Sequence, residues 1–92
     1  MDGEVKENSE LHRFELPLED GAALAYYRLD GNRVVLTHTE VPFQYTGHGV
    51  GSRLAKGVFD ILRQTGRKAV VRCPFLTVWL SRHPEYNDVV DG

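Results

Sequence analysis

Apolar positions change their period along this chain, and each change marks a boundary. Between His12 and Leu18 the pattern alternates, with Phe14, Leu16 and Leu18 on one side, which predicts a half-buried strand. Pro17 confines that strand to an edge or marks its end. Asp20-Gly21 is a turn signal, and Ala22 to Leu29 reads as a second strand. Asp30-Gly31-Asn32 then makes a hairpin turn into a third strand, Arg33 to about Glu40. Three sequential strands joined by short turns predict an antiparallel meander. Met1 to Leu11 is polar and acidic with no period, and residues 1–11 read as a flexible tail.

From Val50 the period becomes helical. Val50, Leu54, Val58, Ile61 and Leu62 recur at helical spacing, opposite Ser52, Arg53, Lys56, Asp60 and Arg63. Gly66 is the expected left-handed residue after that helix. Lys68 to Cys73 is a short buried strand, and a helical crossover makes it parallel to the third strand. Pro74 suits a first helical position, so a second helix runs through Phe75 to His83 and is stopped by Pro84. Tyr86, Val89 and Val90 are the packing points of the remaining segment. The order β-β-β-α-β-α describes an α+β fold with one mixed sheet, as a single domain over residues 12–90.

Composition narrows the setting. Of the 92 residues, 41% are hydrophobic and 26% charged, the balance of an ordinary globular domain. A core this small is thin, and a monomer or weak homodimer is expected. No apolar run approaches the ~20 residues of a membrane span. The acidic N-terminus lacks the features of a secretory signal, and a single cysteine suits a reducing compartment, so the expected location is cytoplasmic. The net charge of −2 hides an asymmetry: residues 45–83 carry seven Lys and Arg against one acid, Asp60. Those cations are not interleaved with aromatics and the net charge is negative, which argues against nucleic-acid binding. The four histidines and one cysteine show no metal-ligand spacing.

The positive segment opens on the stretch that matters most, Thr37 to Ser52, where a strand passes through Pro42 into alternate glycines and then a helix start. Backbone N–H groups and the positive end of the helix converge there, as at an anion site. A P-loop needs Lys-Ser/Thr after its glycines, and Gly51-Ser52-Arg53 does not supply it. A dinucleotide fingerprint needs a third glycine where Ser52 stands and an acid where Cys73 stands. The remaining pattern is Gln-x-x-Gly-x-Gly, here Gln44-Tyr45-Thr46-Gly47-His48-Gly49, followed by Val50, Gly51 and Ser52.

This pattern resembles the acyl-CoA pyrophosphate loop of the GNAT superfamily of N-acetyltransferases. With Glu40-Val41-Pro42, Cys73-Pro74-Phe75 and Arg82-His83-Pro84-Glu85-Tyr86, the chain resembles a very short, single-domain GNAT-like subfamily over about residues 12–90. The resemblance implies acetyl-CoA bound in the V between two splayed parallel strands, an unidentified amine as acceptor, and backbone pairing of Val41 with the pantetheine. The larger superfamily's N-terminal helices, which wall the acceptor site, are missing. An acyl-CoA-binding module with little catalysis is the alternative function.

Two side chains are candidates for chemistry. Cys73 ends a strand ahead of Pro74, at a helix N-cap where the dipole favours thiolate; it is either a nucleophile or thioester contact, or a small buried hydrophobe. His38, near the end of the neighbouring strand, is a candidate base facing Cys73 across the splay. A register slip of one residue puts Thr37 or Thr39 there instead. Glu40 is a second possible base, His48 a possible phosphate donor, and Phe75, Trp79 and Tyr86 read as core.

Overall fold

The computed structural model of the chain describes residues 3–91. One five-stranded sheet contains β1 (Lys6–Asn8), β2 (Arg13–Leu18), β3 (Gly21–Asp30), β4 (Arg33–Glu40) and β5 (Lys68–Val71), in that spatial order. All neighbours are antiparallel except β4 and β5. The helices are α1 (Val50–Gln64) and α2 (Pro74–Ser81), with 3-10 turns at Phe43–Tyr45 and Pro84–Val89. The meander, the crossover and the parallel last strand follow the apolar pattern.

Both helices pack on one face of the sheet. Phe14, Leu16, Ala25, Leu36 and Ala69 meet Leu54, Val58, Phe59 and Leu62 there, a placement dictated by alternation in the strands and the 3.6 period in α1. Gly66 takes φ +70° and Arg67 N–H reaches back to the Leu62 carbonyl (2.9 Å), ending α1 as its glycine predicts. The last 3-10 turn buries Tyr86 and Val89 against this core. Val90 bridges to Ala69, and Asp91 N–H donates to the Ala69 carbonyl (2.7 Å), so the chain covers the outer edge of β5 at that point.

Within the segment expected to be a flexible tail, residues 6–8 form a paired strand; residues 1 and 2 lie outside the described residues. β1 pairs with β2 from Lys6↔Glu15 to Asn8↔Arg13. It has no hydrophobic period because a polar anchor holds it. Arg67 donates two hydrogen bonds to the Glu7 carboxylate (2.6 and 3.0 Å), and the Tyr27 hydroxyl donates a third (2.5 Å). The Arg67 hydrogen bond holds the Glu7 carboxyl below its ordinary value despite partial burial, while burial and Glu7 push Tyr27 up to about 12. Val5 lies against Gly57 of α1, where an added Cβ would stand 2.3 Å from it. β2 is not an edge strand, and Pro17 marks its end instead, one residue before the strand stops at Leu18. β1 stops short of Pro17, and only Gly3 N–H reaches the Pro17 carbonyl (3.1 Å).

A second difference lies in β4. Tyr26 pairs with His38 but Tyr27 pairs with Leu36, so Thr37 is an extra residue, a β-bulge. A bulge reverses the alternation beyond it. Val34 and Leu36 face the helices before the bulge. Beyond it, Val41 packs against the core and Thr39 meets Cys73, while His38 and Glu40 turn to the opposite face.

Candidate functional site

Between β4 and α1 the chain turns tightly. Tyr45 N–H donates to the Pro42 carbonyl (2.9 Å), Thr46 N–H to Phe43 (3.1 Å) and His48 N–H to Tyr45 (3.1 Å). Gly47 and Gly49 then adopt φ values of +82° and +74°, a region that strains any residue with a Cβ. Gly49 is the N-cap of α1, with no side-chain cap and no acidic residue in the first turn. The helix start therefore keeps its unmatched N–H donors, and its own first turn brings no carboxylate to offset its positive end.

These groups line a cleft of about 440 Å³. Its first wall is Tyr45, Thr46, Gly47 and the turn from Gly49 to Ser52, with Val41 at the strand end. The opposite wall comes from α2 and the residues after it: Phe75, Val78, Trp79, Arg82 and His83. Gly51 is small for a different reason from Gly47 and Gly49: a Cβ there would stand 2.7 Å from the Phe75 ring. Trp79 Nε1–H donates to Ser52 Oγ (2.9 Å) and ties the two walls together. Its indole stacks on the His83 imidazole (centroids 3.8 Å apart). His83 Nδ1–H donates to the Trp79 carbonyl (2.8 Å), which leaves Nε2 as the ring's other polar atom beside the cleft.

Of the loop residues singled out from the sequence, Gln44 and His48 do not line the cleft. The His48 ring lies edge-on to Tyr45, whose hydroxyl donates to Asp20 (2.6 Å). The second wall is what sequence reasoning missed, since Phe75 and Trp79 read as core. Trp79 is buried and serves both purposes, but Phe75 is 42% and Val78 53% exposed. The signal was available. The run Pro74–Ser81 is apolar almost all round, yet a helix on the outside of a two-layer domain buries one side only.

Cys73 is the N-cap residue of α2, as expected, but its thiol caps nothing. It is 4% exposed, does not line the cleft, and lies 3.5 Å from Thr39 Oγ1. The expected Cys73–His38 pairing does not form, because the bulge at Thr37 brings Thr39 to Cys73 instead. His38 occupies the other face of the sheet, stacked on Tyr26 (centroids 5.9 Å apart), with Nε2 3.0 Å from Glu40 Oε2. β4 and β5 separate just here: their last pair is Leu36↔Val71, followed by Arg72 N–H to the Leu36 carbonyl (2.9 Å). Beyond that point the V between the strands has Thr39, Val41 and Cys73 towards the cleft and His38 and Glu40 towards the open face.

Tyr86 is structural. Its hydroxyl donates to Asp60 (2.6 Å) and its ring packs on Phe59 and Trp79. Burial pushes the Asp60 carboxyl up, but hydrogen bonds from Lys56 and Tyr86 outweigh it and hold the group below its ordinary value. Among the described residues no cluster of His, Cys, Asp or Glu is arranged to hold a metal ion, and no helix is long and apolar enough to cross a membrane.

Comparison with known proteins identifies the family and fold. The family model for GCN5-related N-acetyl-transferase matches residues 13–89. Human Protein NATD1 is 35% identical over 63 residues, 67% of this chain and 56% of that protein. The zebrafish (Danio rerio) Protein NATD1 is 30% identical over 87 residues, covering 89% of this chain and 79% of that protein. The chain thus spans little more than half the length of the bird and mammalian relatives it matches. The NMR solution structure of a GCN5-like protein from Staphylococcus aureus superposes with a TM-score of 0.73 at 32% identity, covering 97% of this chain and 88% of that one.

Proposed function

Because this chain belongs to the GCN5-related N-acetyltransferase family, we propose that it binds acetyl-CoA in the cleft and transfers the acetyl group to an amine. The observation that carries this reading is the uncapped, acid-free start of α1, with two left-handed glycines at its mouth and an apolar wall facing it. The N–H groups of Gly47 and of Gly49 to Ser52 hold a pyrophosphate without help from a cationic side chain. Phe75 and Val78 cover the pantetheine arm, and Arg82 and His83 supply polar contacts at the same wall. The free main chain at Val41, past the last β4–β5 pair, hydrogen-bonds the pantetheine amides as a further strand would.

Bound acetyl-CoA supplies an activated acyl carbon. The chain's own residues orient it and move protons. His38 receives the proton of the incoming amine. If Nε2–H donates to Glu40, Nδ1 is left to accept, and Glu40 fixes the ring. Cys73 lies on the other side of the V beside Thr39. It contacts the thioester or, on a covalent route, its thiolate takes the acetyl group before the amine does.

A second reading, an acyl-CoA-binding module, is favoured by one observation: the nearly buried Cys73 and the open-face His38 are not in contact. Calorimetry with acetyl-CoA, followed by an assay of CoA release with a panel of amines, separates the two. Binding with amine-dependent CoA release supports the transferase, and binding with none supports the module. No binding at millimolar acetyl-CoA would falsify both. Intact mass after incubation with acetyl-CoA alone shows an acetyl adduct, absent in Cys73→Ala, only if the route is covalent.

A further inference from the structure

The face of the sheet opposite the helices carries a set of charges, two of which the fold leaves unpaired among the described residues. No helix of the described residues covers it, since α1 and α2 both pack on the other side. Alternation and the bulge put Arg13, Tyr26, Arg28, Arg33, His38, Glu40, Lys68 and Arg72 on this face. Most of its cations are engaged. Arg13 donates to Glu15 and Tyr26, Arg33 pairs with Asp30 and Asp91, and Lys68 reaches the Asp88 carbonyl. Arg28 and Arg72 are exposed and make no side-chain hydrogen bond or ion pair with another described residue.

Register places these two arginines around the His38–Glu40 pair. Arg28 is opposite Val35, which is itself paired with Val70, so one row across the sheet reads Arg28, Val35, Val70. The next row reads Tyr26, His38, and then Arg72 where β5 leaves β4. Arg28 lies diagonally across from His38 on β3, and Arg72 stands on its β5 side where the two strands begin to part. The proton acceptor proposed above is thus flanked by two free guanidinium groups, and Glu40 lies one row beyond. An acceptor with only an amine would use Glu40 and be repelled by both arginines. One that also carries an anion would use all of them.

We infer that the acceptor is a small amine bearing an anionic group, a carboxylate or a phosphate, a few atoms from its nitrogen. The anion is held by Arg72 and Arg28 on the open face, and the nitrogen is directed by Glu40 to His38 at the V. This assignment rests on the transferase reading. The ammonium gives one proton to His38, the neutral amine nitrogen attacks the acyl carbon as the C–S bond breaks, and the second proton, shed by the nitrogen as the amide forms, passes to the departing CoA thiolate. Fork-shaped guanidinium donors fit both carboxylate and phosphate, so the shared chemistry is an oxyanion.

The test compares β-alanine and phosphoethanolamine with ethylamine as acceptors, in the wild type, Arg28→Gln and Arg72→Gln, with acetyl-CoA binding measured in parallel. Charge-assisted contacts predict a KM at least ~10-fold lower for one or both anionic amines. That preference disappears in either variant and narrows at high salt, while acetyl-CoA affinity stays unchanged. The relative response to β-alanine and phosphoethanolamine tells carboxylate from phosphate. Equal use of ethylamine, or variants that depress all three amines alike, overturns the inference. A second readout does not depend on turnover: the Arg28 and Arg72 Nε–Hε resonances shift with either anionic amine but not with ethylamine. If no amine is acetylated yet these shifts occur, the site stands and the transferase reading falls. If acetyl-CoA binds and the resonances do not move, the site falls alone.

Discussion

Replacing Gly51 by alanine should separate the stability of this domain from its ligand affinity. The added Cβ would stand 2.7 Å from Phe75 Cζ, against 3.4 Å for ordinary contact, so the ring must move by at least about 0.7 Å. Phe75 is 42% exposed and the clash is with the tip of its side chain, so the move is cheap. An off-rotamer ring costs about 0.5–1.5 kcal/mol. Alanine gains up to about 1 kcal/mol over glycine within a helix. The two nearly cancel, and a thermal melt should shift by no more than about 6 °C for a domain of this length. Affinity has no such compensation, because Phe75 lines the cleft and its displaced atoms enter the space a ligand needs. Acetyl-CoA binding by calorimetry should weaken roughly tenfold, equivalent to about 1.4 kcal/mol. The decisive comparison is a double-mutant cycle with Phe75→Ala. With the ring truncated, Gly51→Ala should cost little, giving a coupling near 1 kcal/mol. If Gly51→Ala weakens binding as much with the ring removed as with it present, the steric argument is wrong.

At Gly49, where φ is +74° and nothing lies within 4 Å of an added Cβ, the cost of alanine is backbone strain alone, about 1–2 kcal/mol. Asparagine, which tolerates this conformation and is a favourable N-cap, should recover much of that loss in a denaturant titration. The Glu7 carboxyl has a folded pKa below its ordinary value of 4.5. Its contribution is therefore complete at pH values well above 4.5 and is lost as pH falls through the lowered folded value. Glu7→Gln should cost about 2 kcal/mol at pH 7, and the gap between wild type and variant should close in acid unfolding curves. A gap independent of pH would refute the charged anchor. Trp79 is the chain's only tryptophan and lines the cleft, so acetyl-CoA should change its emission, with a midpoint matching calorimetry. An unaltered spectrum at saturating ligand would place binding elsewhere.

The parts of this molecule that follow strict periodicity were readable before any coordinates. Phe14, Leu16 and Leu18 alternate, Val50 to Leu62 repeat helically, and Gly66 closes α1 as its position implies. The shape of the Gly47–Ser52 turn, left-handed glycines ahead of an uncapped helix start, was legible from glycine at alternate positions before a helical period. What escaped depends on exceptions to a period. The extra residue at Thr37 has no mark in the sequence, and it decides whether His38 or Thr39 meets Cys73. β1 is held by Glu7, Arg67 and Tyr27, three residues far apart in the chain, so no local pattern announces it. Trp79 is core as expected and also lines the cleft, whereas Phe75 is exposed; an apolar stripe looks the same whether or not another side chain covers it.

The margins of the sheet bear on how copies of this protein meet. At one side β1 offers three residues, two of them charged, and at the other Val90 and Asp91 already bond Ala69. Neither margin gives a foreign strand a long, flat, apolar run of free main-chain groups to extend. Growth by strand addition, the route to swapped dimers and fibrils, is therefore discouraged at both ends. Self-association at high concentration is left to the faces, where its strength would depend on salt.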